Sequence, residues 1–177
     1  MRRARFSVIS VCVISLVLVS FGSIASAAGT FNDDDGSVHE SAIESIAAAG
    51  ITKGCNPPAN TNYCPDRSVT RAEMATFLTR AFDLPSGGSA GFTDTAGSVH
   101  AGAIDALAAS GITKGCNPPG NTNYCPDAPV TRAQMATFLT RAMGLTAGGG
   151  SDLFDDDNTS VHENDIDRLG TAGVTKG

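Results

Sequence analysis

The sequence predicts a mainly α-helical protein of tandem helix–loop–helix repeats. The repeats pack around a shared helical core, and each loop is stapled by a disulfide. Three observations carry this. Residues 31–84 align without gaps on residues 92–145 and differ at 15 of 54 positions. Apolar residues within each copy recur at helical spacing. Each copy also holds its own Cys-x8-Cys pair.

The repeat defines the organisation. A first copy covers residues 31–84 and a second covers residues 92–145. A partial third covers residues 154–177, where Val161-His162 and Gly173-Val174-Thr175-Lys176-Gly177 repeat earlier stretches. Residues 85–91 and 146–151 are Gly/Ser-rich and read as short links.

The first helix of each copy is expected to start at a serine cap. Ser37 with Glu40 forms a capping box, Ser160 with Glu163 repeats it, and the second copy keeps only Ser98. Val38, Ile43, Ile46 and Ala47 form the apolar stripe, and Gly50 closes the helix in a left-handed conformation. The second helix is capped by Thr70 with Glu73, and in the second copy by Thr131 with Gln134. Met74, Phe77, Leu78, Ala81 and Phe82 then line one face, as do Met135, Phe138, Leu139, Ala142 and Met143. Two short helices in so few residues cannot bury a core alone, so neighbouring copies must share theirs.

Residues 1–27 have the three parts of a secretory signal peptide: arginines, an apolar run and Ala25-Ser26-Ala27. Cleavage after Ala27 is expected, with an uncleaved anchor as the alternative. Cys12 lies in this segment and leaves with it. Loss of Arg2, Arg3 and Arg5 leaves 9 basic residues against 18 acidic ones, a net charge of −9. Such acidity argues against nucleic acid as a partner.

Four cysteines remain in an exported chain, which suggests two disulfides. The repeat sets the pairing as Cys55–Cys64 and Cys116–Cys125. A zinc site using all four is the alternative, but an x8 spacing is not that of a zinc knuckle.

Phe31-x-Asp33, Ala42-Ile43, Gly50-Ile51-x-x-Gly54, Tyr63-x-Pro65 and Val69-Thr70-Arg71-Ala72-Glu73 stand in order, and the order recurs in the second copy. These landmarks resemble the S-layer homology (SLH) module. The resemblance implies a bacterial cell-surface anchor. Three such modules pack as a three-sided prism, with grooves that hold secondary cell-wall polymer, often bearing a pyruvylated anionic sugar. It also implies that the motif arginine, here Arg71 and Arg132, belongs to the ligand site. The chain departs from the family pattern at Gln134, at His39, His100 and His162, in its longer Cys-bounded loop, and in the missing second helix of its third copy.

Polymer binding is therefore assigned to Arg71 and Arg132, joined by Lys53 and Lys114. Each arginine takes the first position of a helix, where a cation is disfavoured by the dipole and needs a reason. An external anion meeting guanidinium and free helix N–H groups supplies one. Ion pairs of Arg71 with Asp66 or Glu73, and of Arg132 with Asp127, are the structural alternative. Arg80 and Arg141 suit the C-terminal end of their helix.

The histidines have no nucleophile partner in sequence and are expected to pack or hydrogen-bond. Asp33, Asp94 and Asp156 share a register and are expected to hold turns or caps. An EF-hand around Gly36 is excluded, because Phe31 and Ala42 would have to bind the metal. A loose calcium site at Asp155, Asp156 and Asp157 stays open as an alternative. The resulting expectation is a non-catalytic, cofactor-free module on the outside of the cell, bound to cell-wall polysaccharide. Two alternatives remain: a surface protein that self-associates through its incomplete third repeat, or the anchor of a longer exported enzyme.

Overall fold

A computed structural model describes residues 29–177. The expected signal peptide and its cleavage site lie outside the described residues. No helix among those described is long and apolar enough to cross a membrane.

Five helices and no strands are present among the described residues: α1 (Glu40–Ala48), α2 (Arg71–Ala81), α3 (Ala101–Ala109), α4 (Arg132–Ala142) and α5 (Glu163–Thr171). The packing is offset from the sequence repeat. Helix α2 packs on α3, and α4 packs on α5. The second helix of one copy thus finds its partner in the first helix of the next, as the shortage of apolar surface in a single copy requires. The core gathers at the first of these junctions. Met74, Ala75 and Leu78 of α2 meet Ile104 and Leu107 of α3, with Tyr124 and Phe138 closing the cluster. A short antiparallel contact between Val69-Thr70 and Pro129-Val130 ties the junction further, Val130 N–H donating to the Val69 carbonyl at 2.9 Å.

The second helices start as the sequence predicts. Thr70 Oγ1 accepts from the Glu73 N–H, and Glu73 returns a carboxylate oxygen to the Thr70 N–H. Thr131 and Gln134 make the same box. The first helices start later than expected. Helix α1 begins at Glu40 behind His39, and Ser37 sits one turn outside it. There Ser37 Oγ accepts from the His39 N–H, while Glu40 reaches back to the Gly36 N–H. The serine–glutamate pair thus orders the turn that feeds the helix instead of capping the helix itself. Val38 consequently drops out of the apolar stripe and is 93% exposed, with Val99 and Val161 exposed alike. Gly50 closes α1 at φ +71°, and the Ile51 N–H bonds back to the Ile46 carbonyl.

Both expected disulfides are present, Cys55–Cys64 and Cys116–Cys125, with Cα separations of 6.1 and 6.0 Å. The sulfurs are spent in these bonds, so four cysteine ligands for zinc do not exist. Two further devices hold each loop. Asn56 Oδ1 accepts from the Thr61 and Asn62 N–H groups, both at 2.9 Å. Asp33 accepts from the Tyr63 and Cys64 N–H groups at 2.6 and 2.8 Å, and Asp94 does the same for Tyr124 and Cys125. These aspartates were expected in local turns or caps; they span about thirty residues instead, clasping the loop to the start of its own copy. Asp156 is exposed and makes no such bond within the described residues.

Candidate functional site

Arg71 occupies the first position of α2, as expected, but points inward. It is only 5% exposed. Its Nε donates to the Tyr124 carbonyl at 2.8 Å, and its guanidinium lies 4.7 Å from the centre of the Tyr124 ring and 5.3 Å from that of Phe138. Burial lowers its pKa, partly offset by Tyr124 and Asp94. The helix N–H groups beside it are also used. Arg71 N–H donates to the Ala128 carbonyl and Ala72 N–H to the Pro126 carbonyl. The cation at a helix N-terminus is therefore offset by carbonyls and aromatic faces of the second copy. The ion pair suggested for Arg71 is made by another residue: Glu73 pairs with Arg67 at 2.6 Å.

Arg132 holds the same sequence position with the opposite exposure. It lies open on the rim of a groove of about 710 Å³ between α4 and α5, with Met135, Leu139, Phe154, Ile166 and Val174 along its walls. Among the described residues no ring lies over it as the Tyr124 ring lies over Arg71.

A second groove of about 480 Å³ lies between the first and second copies. Lys53, Arg67 and Arg80 line it, with Glu73 as the acid among them. Tyr63, Pro57, Pro65 and Phe77 supply flat or apolar wall. Arg80 is held by a bond from Nη1 to the Ile51 carbonyl at 3.0 Å, which also ties α2 to the exit of α1. The grouping joins Lys53 to Arg80, which the sequence assigned to a helix end, and to Arg67, which it gave no role. The signal for them was weak, because Arg67 has no counterpart in the second copy and Arg80 has a sufficient role at its helix end. Lys114 is exposed but lines neither groove.

The histidines connect copies. His100 Nδ1 lies 2.8 Å from Thr76 Oγ1, and His162 Nδ1 lies 2.8 Å from Thr137 Oγ1. The threonine always comes from the preceding copy's second helix. His39 is exposed.

The acids divide into two kinds. Asp33 is held below the usual carboxylate range by the Tyr63 N–H, with further help from Cys64. Burial pushes Asp94 up, but the Tyr124 and Cys125 N–H groups and the nearby Arg71 outweigh it and bring its pKa down. Asp34 and Asp157 behave oppositely. They are 1% and 5% exposed, and none of their carboxylate oxygens has a hydrogen-bond partner. Burial raises both, with Glu44, Glu40 and Asp35 adding to Asp34, and Asp167, Asp156 and Asp152 adding to Asp157.

Helices of neighbouring copies share a core, as the ordered landmarks of the sequence imply. The family model described as "S-layer homology domain" matches residues 91–136. The chain carries an S-layer homology domain. Among curated relatives, the "Surface-layer 125 kDa protein" of Lysinibacillus sphaericus is 33% identical over 82% of this chain and 12% of its own length. The "Amylopullulanase" of Thermoanaerobacterium thermosulfurigenes is 31% identical over 64% of this chain and 6% of its own. The "Exoglucanase XynX" of Acetivibrio thermocellus is 28% identical over 73% of this chain and 12% of its own. The chain thus spans no more than about an eighth of the length of these relatives. An S-layer homology domain is an anchoring module and not a catalytic one, and it places the chain outside the cell, at the wall or surface.

Proposed function

We propose that the chain anchors by binding an anionic cell-wall polysaccharide along the groove between its first and second copies. One observation carries this reading: Lys53, Arg67 and Arg80 converge there on a protein whose full sequence has a net charge of −6. Cations gathered on an acidic surface are suited to a carboxylate-bearing sugar. The Tyr63 ring and the prolines offer faces on which sugar rings can lie. Arg132, open on the other groove, is a second contact in this proposal, and Lys114 an outlying one. Arg71 takes part by holding the two copies in register.

The test is sedimentation of the purified protein with cell-wall sacculi, before and after chemical removal of the secondary polymer. Binding that disappears on stripping supports the proposal. Binding that survives stripping excludes the polymer as receptor.

A second reading has its own support. The walls of the groove beside Arg132 are mostly apolar, and Leu153 and Val174 near it are about half exposed. Exposed apolar surface of this kind favours association with another protein surface. In that reading the chain is a structural surface protein that self-associates without glycan, and it fails to sediment with either preparation. A catalytic role belongs to neither reading; the enzyme names among the relatives leave room for the chain as the anchor of a longer exported enzyme.

A further inference from the structure

The two buried aspartates mark equivalent places. Asp34 follows Phe31 by three positions, and Asp157 follows Phe154 by three. A carboxylate of the same copy's first helix, Glu44 or Asp167, adds its negative charge to each. That second acid has a duty in every copy. Glu44 accepts from Thr30, Asp105 from the Ala90 N–H, and Asp167 from the Asp152 and Leu153 N–H groups. The first acid has none. Its oxygens are enclosed and unpartnered in both copies.

The second copy provides the internal comparison. At the equivalent position it has Thr95, whose hydroxyl bonds to the Phe92 carbonyl, so nothing is left unsatisfied there. Its neighbour Glu40 is also gone, replaced by Ala101, whereas the third copy keeps Glu163. The buried acid and the nearby glutamate are thus retained together or lost together. An enclosed carboxylate beside a second carboxylate is costly unless a positive charge joins them. No basic side chain does so, because the two ion pairs among the described residues, Arg67–Glu73 and Arg168–Asp165, lie elsewhere.

We propose that the first and third copies each bind one calcium ion, held by Asp34 with Glu44 and by Asp157 with Asp167. Two carboxylates balance the charge of a divalent ion. All-oxygen donors select a hard cation, and backbone carbonyls and water complete such a shell readily. The expected affinity is that of extracellular calcium sites in general, roughly 0.1–1 mM. The site in the third copy takes one residue from the aspartate run that the sequence singled out, Asp157, and draws its partner from α5.

Calorimetric titration of the EDTA-stripped chain with calcium chloride tests this. Two ions bind. Asp34→Asn and Asp157→Asn each leave one ion, the double variant leaves none, and Asp105→Asn leaves two. Calcium at ten times its Kd raises the wild-type Tm by roughly 5 °C, and the double variant loses that shift. A variant that still binds two ions overturns the site in its copy. Absence of heat and of any Tm shift in wild type overturns both. Asparagine variants that are more stable than wild type at every calcium concentration do so as well, since they identify the acids as protonated groups.

Discussion

Arg71 and Tyr124, 53 residues apart, hold each other from both ends: the arginine Nε donates to the tyrosine carbonyl, and the tyrosine hydroxyl donates to the arginine carbonyl at 2.7 Å. The pair fastens α2 to the loop of the second copy. It makes the motif arginine a joint between copies before it can be anything else.

Arg71→Ala therefore destabilises the fold, by about 3 kcal/mol, from a lost charged hydrogen bond, lost ring contact and an orphaned carbonyl. Arg132→Ala costs under about 0.5 kcal/mol, as an exposed surface change. Urea unfolding of the two variants checks the contrast. Equal, small effects would return Arg71 to the role that sequence reasoning gave it. Tyr124→Phe, which leaves the Arg71 carbonyl without its partner, costs about 1–2 kcal/mol.

Replacing Cys55 and Cys64 together by serine removes a loop of about ten residues from the unfolded-state constraint, worth about 2.7 kcal/mol. The loop keeps its shape in the folded variant, because Asn56 and Asp33 hold it independently. Amide shifts of residues 56–63 in the folded variant are expected to stay close to those of the wild type, while the unfolding midpoint falls.

The clasps of Asp33 and Asp94 predict acid sensitivity. Both carboxyls titrate below their usual range. Their contribution is complete above the ordinary carboxylate pKa of about 3.9 and is lost as pH falls through the lowered folded values. Stability measured by denaturant titration between pH 5 and about pH 2 therefore declines. Asp33→Asn with Asp94→Asn lowers stability at neutral pH and flattens that decline.

Wall binding is predicted to depend on charge in the first groove. Lys53→Glu weakens sedimentation with sacculi at least roughly tenfold and changes stability by less than about 0.5 kcal/mol, since its ammonium is exposed. Added salt weakens wild-type binding in the same direction. Unchanged binding by Lys53→Glu would remove this groove from the proposal.

Hydrogen exchange is expected to rank the junctions. Helix α2 lies in the central cluster, whereas α5 contributes only Leu169 and Asp167 as buried residues. Amides of α5 exchange faster than those of α2. Equal protection in a monomer would contradict this.

What the sequence disclosed was whatever a short stretch decides alone or a repeat decides twice. The Thr70–Glu73 box, the left-handed Gly50 and both disulfides belong here, because their partners lie within ten residues or are fixed by the duplication. Inward rotation of Arg71 was not legible, since its carbonyl acceptor and both its rings come from the next copy. The fate of Val38 turned on two residues of helix boundary, since the cap is His39 and not Ser37. Asp34 entered the sequence reading only through the excluded EF-hand loop around Gly36; it is buried in the fold, and no periodicity announces that. The meeting of Lys53, Arg67 and Arg80 spans a loop and a helix, so no spacing rule could have found it.

The half-step offset between sequence copies and packed helices bears on how such a chain can be divided. The Gly/Ser-rich stretch at residues 85–91 looks like a natural boundary, yet a cut there separates α2 from α3 and opens the apolar core they share. A fragment that starts after α1 and ends before α4 would carry the α2–α3 pair intact. Recombination at the links would therefore yield modules that fold only once a neighbour arrives. Lengthening such an array by whole copies preserves every contact, whereas swapping single copies between arrays exchanges two joints at once.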